Sequence, residues 1–444
     1  MNKQTEHTSR MDVISLVVLV VVTAFTALYM KGLNSGIPYY YDSIGYSATI
    51  GGTFVAVFTL ASTVMRLVGG QITDHFSHYR VLMASLLGLL LGVAIPAVWD
   101  DFFVVMAARV LQGAAFALAT NVMTVAVMST ASMKHMGRRM GIKGAGTSLG
   151  TMFGALVATG LLDGIGFQGF FGFYVALMLA AMLMVFLLKR AERAEAKRAQ
   201  QAAAPQGEDA SAASTTTTAD AVQDTKREEK TPPVAQQGDT PKLTAGQRLR
   251  ALIKPYLMPQ VFPFLAMSFA RRMPKGFCIS FILIFARYTG IEMGALFFVV
   301  AGATTLTCRL LGGKLFDSEK TWLLLPVISA QIVGFALLAA FPSLVTLIVA
   351  AVGYGISVGL SSPFIKTLTA KSAPKEHWGV VNGELYFFGD MGKALGAFLG
   401  GIIIDMLSKS LIPEIALGFS IVTSVLTAIA LIAGHRAKRA NDRS

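Results

Sequence analysis

Arg66-Leu67-Val68-Gly69-Gly70-Gln71-Ile72-Thr73-Asp74 and Arg309-Leu310-Leu311-Gly312-Gly313-Lys314-Leu315-Phe316-Asp317 both read R-L-x-G-G-x-x-x-D. Each stretch closes an apolar run, so the same unit is written twice in the chain. Two further matches follow in the same order and at nearly the same offset. Gly137, Gly141, Gly150, Gly154 and Asp163 correspond to Gly379, Gly383, Gly392, Gly396 and Asp405. Lys31-Gly32 corresponds to Lys275-Gly276. Chance can supply one such match, but several in register imply two related halves.

Outward from these stretches, apolar runs lie near 13–37, 46–70, 80–99, 102–128, 140–162 and 168–189. A second set lies near 258–287, 291–315, 321–341, 343–368, 380–406 and 411–434. Each holds roughly 19 to 30 residues, enough at about 1.5 Å per residue to cross ~30 Å of hydrocarbon. The runs do not alternate, which excludes barrel strands. Composition agrees: 54% of residues are hydrophobic and 14% charged, with a mean hydropathy of +0.60. A soluble domain carries roughly 25% charged residues. The expected fold is an all-α membrane protein, with twelve transmembrane helices in two six-helix bundles related by a pseudo-twofold axis.

The bundles are expected at 13–189 and 255–434, between a polar tail (1–12) and a basic tail (435–444). The first run has no cleavage site after it and reads as a retained span. Residues 190–254 form a linker; 202–239 contain no Leu, Ile or Phe and are expected to be disordered. Near its end, Thr244 and Gln247 have capping-box spacing, and Leu249, Leu252 and Ile253 share a face flanked by Arg248, Arg250 and Lys254. That pattern predicts a short helix on the membrane surface.

The net charge of +13 resides largely in loops and tails, as in Lys134, Arg138, Arg139, Lys189, Arg190, Lys371, Lys375, Arg436 and Lys438. Asp42, Asp100, Asp101 and Asp163 mark the opposite side. By the positive-inside rule both termini and the linker face the cytoplasm, and no nucleic-acid partner is implied. A bacterial cytoplasmic membrane is the expected location. Cys278 and Cys308 sit in apolar runs and suggest neither disulfide nor metal site. No G-x-x-x-x-G-K-[ST] motif is present, and the six histidines lie in tails and loops. An ATP-driven pump and a membrane enzyme are thereby disfavoured, and no cofactor is expected.

Arg66…Gly70…Asp74 resembles the loop motif G-x-x-x-D-R-x-G-R-R between the second and third spans of the major facilitator superfamily. Here His75 stands at the first Arg position, and Ser77-His78 at the Gly-Arg positions. Arg109-Val110-Leu111-Gln112-Gly113 resembles the R-x-x-Q-G motif of the fourth span, common among exporters. Gly146, Gly150 and Gly154 resemble the glycine-rich antiporter motif, without its Gly-Pro. The resemblance implies alternating access. It also implies a latch of the outward-facing state made by Arg66, Gly70, Asp74, Arg309, Gly313 and Asp317. Physically, Gly70 and Gly313 would let the second and eighth spans cross the eleventh and fifth closely. Asp74 and Asp317 would accept from helix N-terminal amides across the halves.

A charge near mid-bilayer costs at least ~2.5–3.5 kcal/mol on insertion scales, so each one needs a partner or a wet cavity. The resemblance implies that the first, fourth, seventh and tenth spans line the central cavity. The first carries Lys31, the fourth Arg109, and the seventh Arg271, Arg272 and Lys275. The expected substrate is therefore a small anion bearing carboxylate, phosphate or sulfonate. Arg271 and Lys275 share a helical face and are the expected substrate pair. Arg271 and Arg272 point about 100° apart, so both cannot face one spot and one of the two would pair with the eleventh span or a headgroup. A packing role for Arg109 and snorkelling for Lys31 are the alternatives. Asn121 and Tyr354 would add neutral contacts. Asp390 either pairs with Lys393, three residues on, or carries a coupling proton, with Glu384 as second candidate. The functional expectation is a monomeric, proton-coupled exporter of a small organic anion, amphipathic metabolite or drug. Proton-coupled uptake, an integral membrane enzyme and a transport-inactive sensor are the rivals.

Overall fold

Helix formation follows the apolar runs closely. The computed structural model describes residues 3–129, 136–203, 260–311, 321–372 and 378–441. Among them are eleven α-helices: α1 (Lys3–Ser43), α2 (Ala48–His75), α3 (His78–Val98), α4 (Phe102–Ser129), α5 (Met136–Ala203), α6 (Phe262–Tyr288), α7 (Leu296–Leu311), α8 (Leu324–Ala340), α9 (Leu344–Lys371), α10 (Trp378–Met406) and α11 (Ile412–Asn441). No strand occurs among the described residues. Eight helices are long and apolar enough to cross a membrane, making this an all-α multi-pass membrane protein. Leu296–Arg309 and Leu324–Ala340 are apolar but shorter. Arg271, Arg272 and Lys275 interrupt the apolar character of α6.

The caps are legible in the sequence. Ser47 accepts from the Ile50 amide at the start of α2, and Ser77 accepts from the Arg80 amide at the start of α3. Ser77 is one of the departures from the loop motif, and capping is what it does here. The apolar stretch Ile142–Glu195 of α5 runs for 54 residues, far beyond one ~30 Å crossing. It breaks at Gly166, whose φ of 70° and ψ of −170° belong to a region essentially restricted to glycine.

Chain contacts divide the molecule into Met1–Arg190 with Tyr256–Ser444, and Ala191–Pro255. Both halves of the repeat lie in the first unit; the expected surface helix at 244–254 lies outside the described residues. Repeat-related glycines make equivalent contacts. Gly150 and Gly154 of α5 lie against the Ala24 and Leu28 carbonyls of α1. Gly392 and Gly396 of α10 lie against the Phe269 and Met273 carbonyls of α6. A side chain at any of the four would meet backbone, so the close approach demands glycine. Between the halves, Gly52 of α2 meets the Ala397 carbonyl of α10, Gly401 of α10 meets Ala48, and Gly302 of α7 meets Met152 of α5. These contacts lie between the pairs of spans for which Gly70 and Gly313 are expected to allow close crossing. Gly313 and Asp317 lie outside the described residues, as do the side-chain surroundings of Gly70 and Asp74 in the last turns of α2.

Aromatic and aliphatic side chains fill each half. Tyr29, Phe54, Phe58, Phe170 and Tyr174 pack the first, and Phe277, Phe281, Phe297 and Phe335 the second. Val64, Leu183, Val345 and Ile429 are exposed and form part of the lipid-facing surface. Buried hydroxyls on these helices bond back to the preceding turn, as Thr59 does to Val55 and Thr427 to Thr423, which satisfies them within the helix.

Candidate functional site

Where the halves meet, α1, α6 and α10 bring cations together. Lys31 of α1 is 5% exposed, and its Nζ has no hydrogen-bond partner among the described residues. It sits 3.2 Å from the ring centroid of Phe298 on α7, across the half-interface. Lys275 of α6 and Lys393 of α10 are both within electrostatic reach of Lys31. Lys393 is 8% exposed and stands 5.8 Å over the ring of Phe58. Arg271 is 7% exposed, its Nε lacks a partner among the described residues, and Tyr354 lies within electrostatic reach of it. Tyr354 itself is buried against Phe297, with ring centroids 5.5 Å apart.

Magnitudes decide what this cluster lacks. A cation over an aromatic face gains about 0.5–2 kcal/mol. Holding a charge near mid-bilayer costs at least ~2.5–3.5 kcal/mol. The π-face of Phe298 therefore leaves Lys31 under-compensated, and Lys393 has Phe58 together with a share of Asp390.

Asp390 is engaged otherwise. It accepts from Arg272 of α6 in an ion pair, and Arg66 Nε of α2 stands 4.0 Å from its Oδ2. Of the two adjacent arginines it is Arg272 that meets α10; the ion pair of Asp390 runs across helices, with Lys393 of its own helix within electrostatic reach. Tyr386 lies beside this pair: its ring carries the guanidiniums of Arg66 at 5.9 Å and Arg272 at 5.5 Å, and its hydroxyl accepts from Lys366 Nζ at 2.6 Å. Both carboxylate oxygens of Glu384 are buried without a partner among the described residues.

Arg109 lies elsewhere. It is fully buried inside the first half, where Nε donates to the Phe54 carbonyl at 3.1 Å and Nη1 to Gln112 Oε1 at 2.6 Å. Nη2 donates to Asn34, and the guanidinium covers the Phe58 ring at 4.5 Å. Gln112 in turn donates to the Gly92 carbonyl. The Arg and Gln of R-x-x-Q-G thereby tie α1, α2, α3 and α4 together. Asn121 packs beside Gly69 of α2. Arg309 lies within electrostatic reach of Arg271 and Lys275.

At the face carrying Asp42, Asp163 and Asp405, the halves are joined by polar contacts. Asp405 at the end of α10 accepts from the amides of Ala48 and Thr49, both at 2.8 Å. Lys409 pairs with Asp42 at 2.6 Å. Tyr39 donates to Asp163 at 3.0 Å, and the Arg287 guanidinium lies 5.2 Å over its ring. Sequence reasoning found Asp405 only as a repeat position, and missed Lys393 as an independent cation and Lys366 altogether. No cluster of His, Cys, Asp and Glu fit for a metal occurs among the described residues.

The family model of the Major Facilitator Superfamily matches residues 19–383, most of the chain, taking in the first half of the repeat and much of the second. The chain belongs to the major facilitator superfamily. Its solved structural relatives in that fold include the nucleoside transporter NupG, with a TM-score of 0.69, 14% identity, and 94% of this chain and 99% of that one covered. A bacterial homologue of the human lysosomal transporter Spinster, solved inward-facing and unoccupied, gives a TM-score of 0.65 and 16% identity over 97% of each chain. An Acurin A biosynthesis cluster MFS-type transporter from Aspergillus aculeatus is 27% identical over 138 residues, 30% of this chain. That match spans about a quarter of the fungal protein, 24% of its length. Major facilitator proteins are secondary transporters of small molecules and not enzymes, and this chain is a multi-pass transport protein of that kind.

Proposed function

We propose that the protein is a proton-coupled exporter of a small organic anion, working by alternating access between two six-helix bundles. On this reading α5 crosses twice about Gly166 and α6, α7 and α8 each cross once, which with the seven other apolar stretches makes twelve spans. Both termini and the linker are cytoplasmic, and the Asp42–Asp163–Asp405 face is external. The contacts on that face then close the site to the outside. The observation that carries the anion is the set of cations where the halves meet: Lys31 and Arg271, buried with a nitrogen that lacks a partner among the described residues, and half-buried Lys275 within electrostatic reach of Arg271.

Tyr354 adds a hydroxyl beside Arg271, Asn121 a neutral contact on α4, and Arg109 holds the first half in shape. Asp390, with Glu384 as second candidate, carries the proton, and protonation of Asp390 would free Arg272. Arg66, Gly70, Asp74, Arg309, Gly313 and Asp317 form the opposing cytoplasmic latch. The protein acts as a monomer in a cell membrane, without cofactor. The R-x-x-Q-G motif favours export; proton-coupled uptake would use the same cations. Direction is tested with proteoliposomes of fixed orientation and labelled organic anions. An exporter moves anion against its gradient only when protons flow the opposite way; co-directional flow of both assigns uptake.

A further inference from the structure

Lys31 and Lys275 hold one repeat position in the two halves, each followed by a glycine. The fold gathers them with a third lysine that the repeat does not supply. Gly276 of α6 touches the backbone of Lys393 on α10, where a Cβ would run into the Lys393 carbonyl. Gly154 of α5 lies against the stem of Lys31. These close approaches fix Lys31 and Lys393 in buried positions, with Lys275 within electrostatic reach of both. Lys31 has the π-face of Phe298 beside it, Lys393 has the π-face of Phe58 with Asp390 within electrostatic reach, and Lys275 makes no ion pair among the described residues.

The other groups around the cluster do not balance it. Asp390 reaches Lys393 electrostatically, but its one charge is shared with Arg272, its ion-pair partner, and with Arg66. Glu384 lies nine residues from Lys393 along α10, about 13 Å of helix. Arg271 and Arg309 add positive charge, Cys278 and Tyr354 are neutral, and Arg109 is bound by Asn34 and Gln112. One negative charge would leave most of this cluster unbalanced.

We infer that Lys31, Lys275 and Lys393 form a single subsite for a compact dianion, a dicarboxylate or phosphomonoester, and that Lys393 selects dianion over monoanion. The inference rests on the anion reading above. Its chemistry is that of charge-assisted hydrogen bonds from three separate ammonium groups, which two acidic oxygens of one group, or two groups, can share. Lys393 is the member that a monoanion held by Lys31 and Lys275 would not need.

The test is binding to the purified full-length protein by calorimetry and thermal shift, with succinate, monomethyl succinate, glycerol 3-phosphate and the neutral dimethyl succinate as probes. One of the two dianions is expected to bind at least about tenfold tighter than monomethyl succinate, since truncating a buried charge pair costs that much or more. Which dianion binds assigns carboxylate or phosphate. Lys393→Gln should abolish that preference and leave monoanion affinity within about twofold, whereas Lys393→Arg should keep it. Lys31→Gln, read alongside, should weaken every anion, and unchanged melting temperatures of the free variants exclude misfolding. Equal binding of mono- and dianion overturns the dianion inference while the anion reading stands. Binding of dimethyl succinate alone, or of no probe, overturns both.

Discussion

The carboxylate of Asp405, at the end of α10, receives the amides of both Ala48 and Thr49 at 2.8 Å, so it closes the start of α2 from the other half of the molecule. The helix dipole and two unsatisfied amides make this a strong place for a negative charge. Ser47 caps the same turn from within, and Asp42–Lys409 adds a second inter-half contact nearby. Asp405 is the repeat partner of Asp163, which instead accepts from Tyr39.

Removing this clamp should open the face it closes. Asp405→Ala is expected to shift the conformational equilibrium by about 1–2 kcal/mol, roughly a tenfold change in population. Spin-label distances between the start of α2 and the end of α10 would show the longer population growing. An unchanged distribution would mean that Asp405 caps a helix without holding a state.

Breaking the ion pair between Arg272 and Asp390 should cost coupling before it costs the fold. Asp390→Asn leaves Arg272 and Arg66 without their carboxylate, and truncating one member of a buried pair typically costs about 3–5 kcal/mol. Thermal melting in detergent should fall accordingly, and Arg272→Gln combined with Asp390→Asn should recover part of the loss. In proteoliposomes Asp390→Asn should retain substrate counterflow but lose movement driven by a pH gradient. Full gradient-driven transport in that variant would move the proton to Glu384.

Glycine positions divide sharply by what surrounds them. Gly276→Val and Gly396→Val would force side chains into the backbone of Lys393 and Met273, overpacking that costs about 1–3 kcal/mol or more. Gly160 and Gly418 have open space around the added atom, and Gly160→Ala and Gly418→Ala should melt like the parent. Differential scanning of the four variants distinguishes the two classes.

Arg109 should behave as a structural residue. Its donors are committed to Phe54, Gln112 and Asn34, so Arg109→Gln is expected to lower stability by about 1–3 kcal/mol for each buried acceptor left unpaired. In protein that survives purification, the KM for substrate should stay near the parental value. A raised KM at unchanged stability would return Arg109 to the binding site.

Much of the fold was readable because membrane spans obey length and hydropathy, and because Arg66–Asp74 and Arg309–Asp317 announce the duplication. The break at Gly166 was readable only as a gap between two apolar runs, since one glycine among many carries no mark of its φ. The cations of α1 and α6 were visible because charge in an apolar run is costly. Their partners were not. Arg272 meeting Asp390, Lys31 meeting Phe298 and Lys393 joining the cluster all depend on the register at which α1, α6 and α10 cross. No local pattern encodes that register. Arg109 looked like a cavity residue for the same reason: its chain position is that of a cavity span, while its contacts with Asn34 and Phe54 turn it inward.

Whether cations hold an anion where the halves meet can be read from anion accumulation in proteoliposomes made acid inside. Parallel samples would carry the parent, Lys275→Gln and Lys31→Gln. The parent should show saturable accumulation that collapses when the pH gradient is dissipated, and either variant should lose about tenfold or more. Accumulation by Lys275→Gln and Lys31→Gln at the parental rate and KM would contradict it.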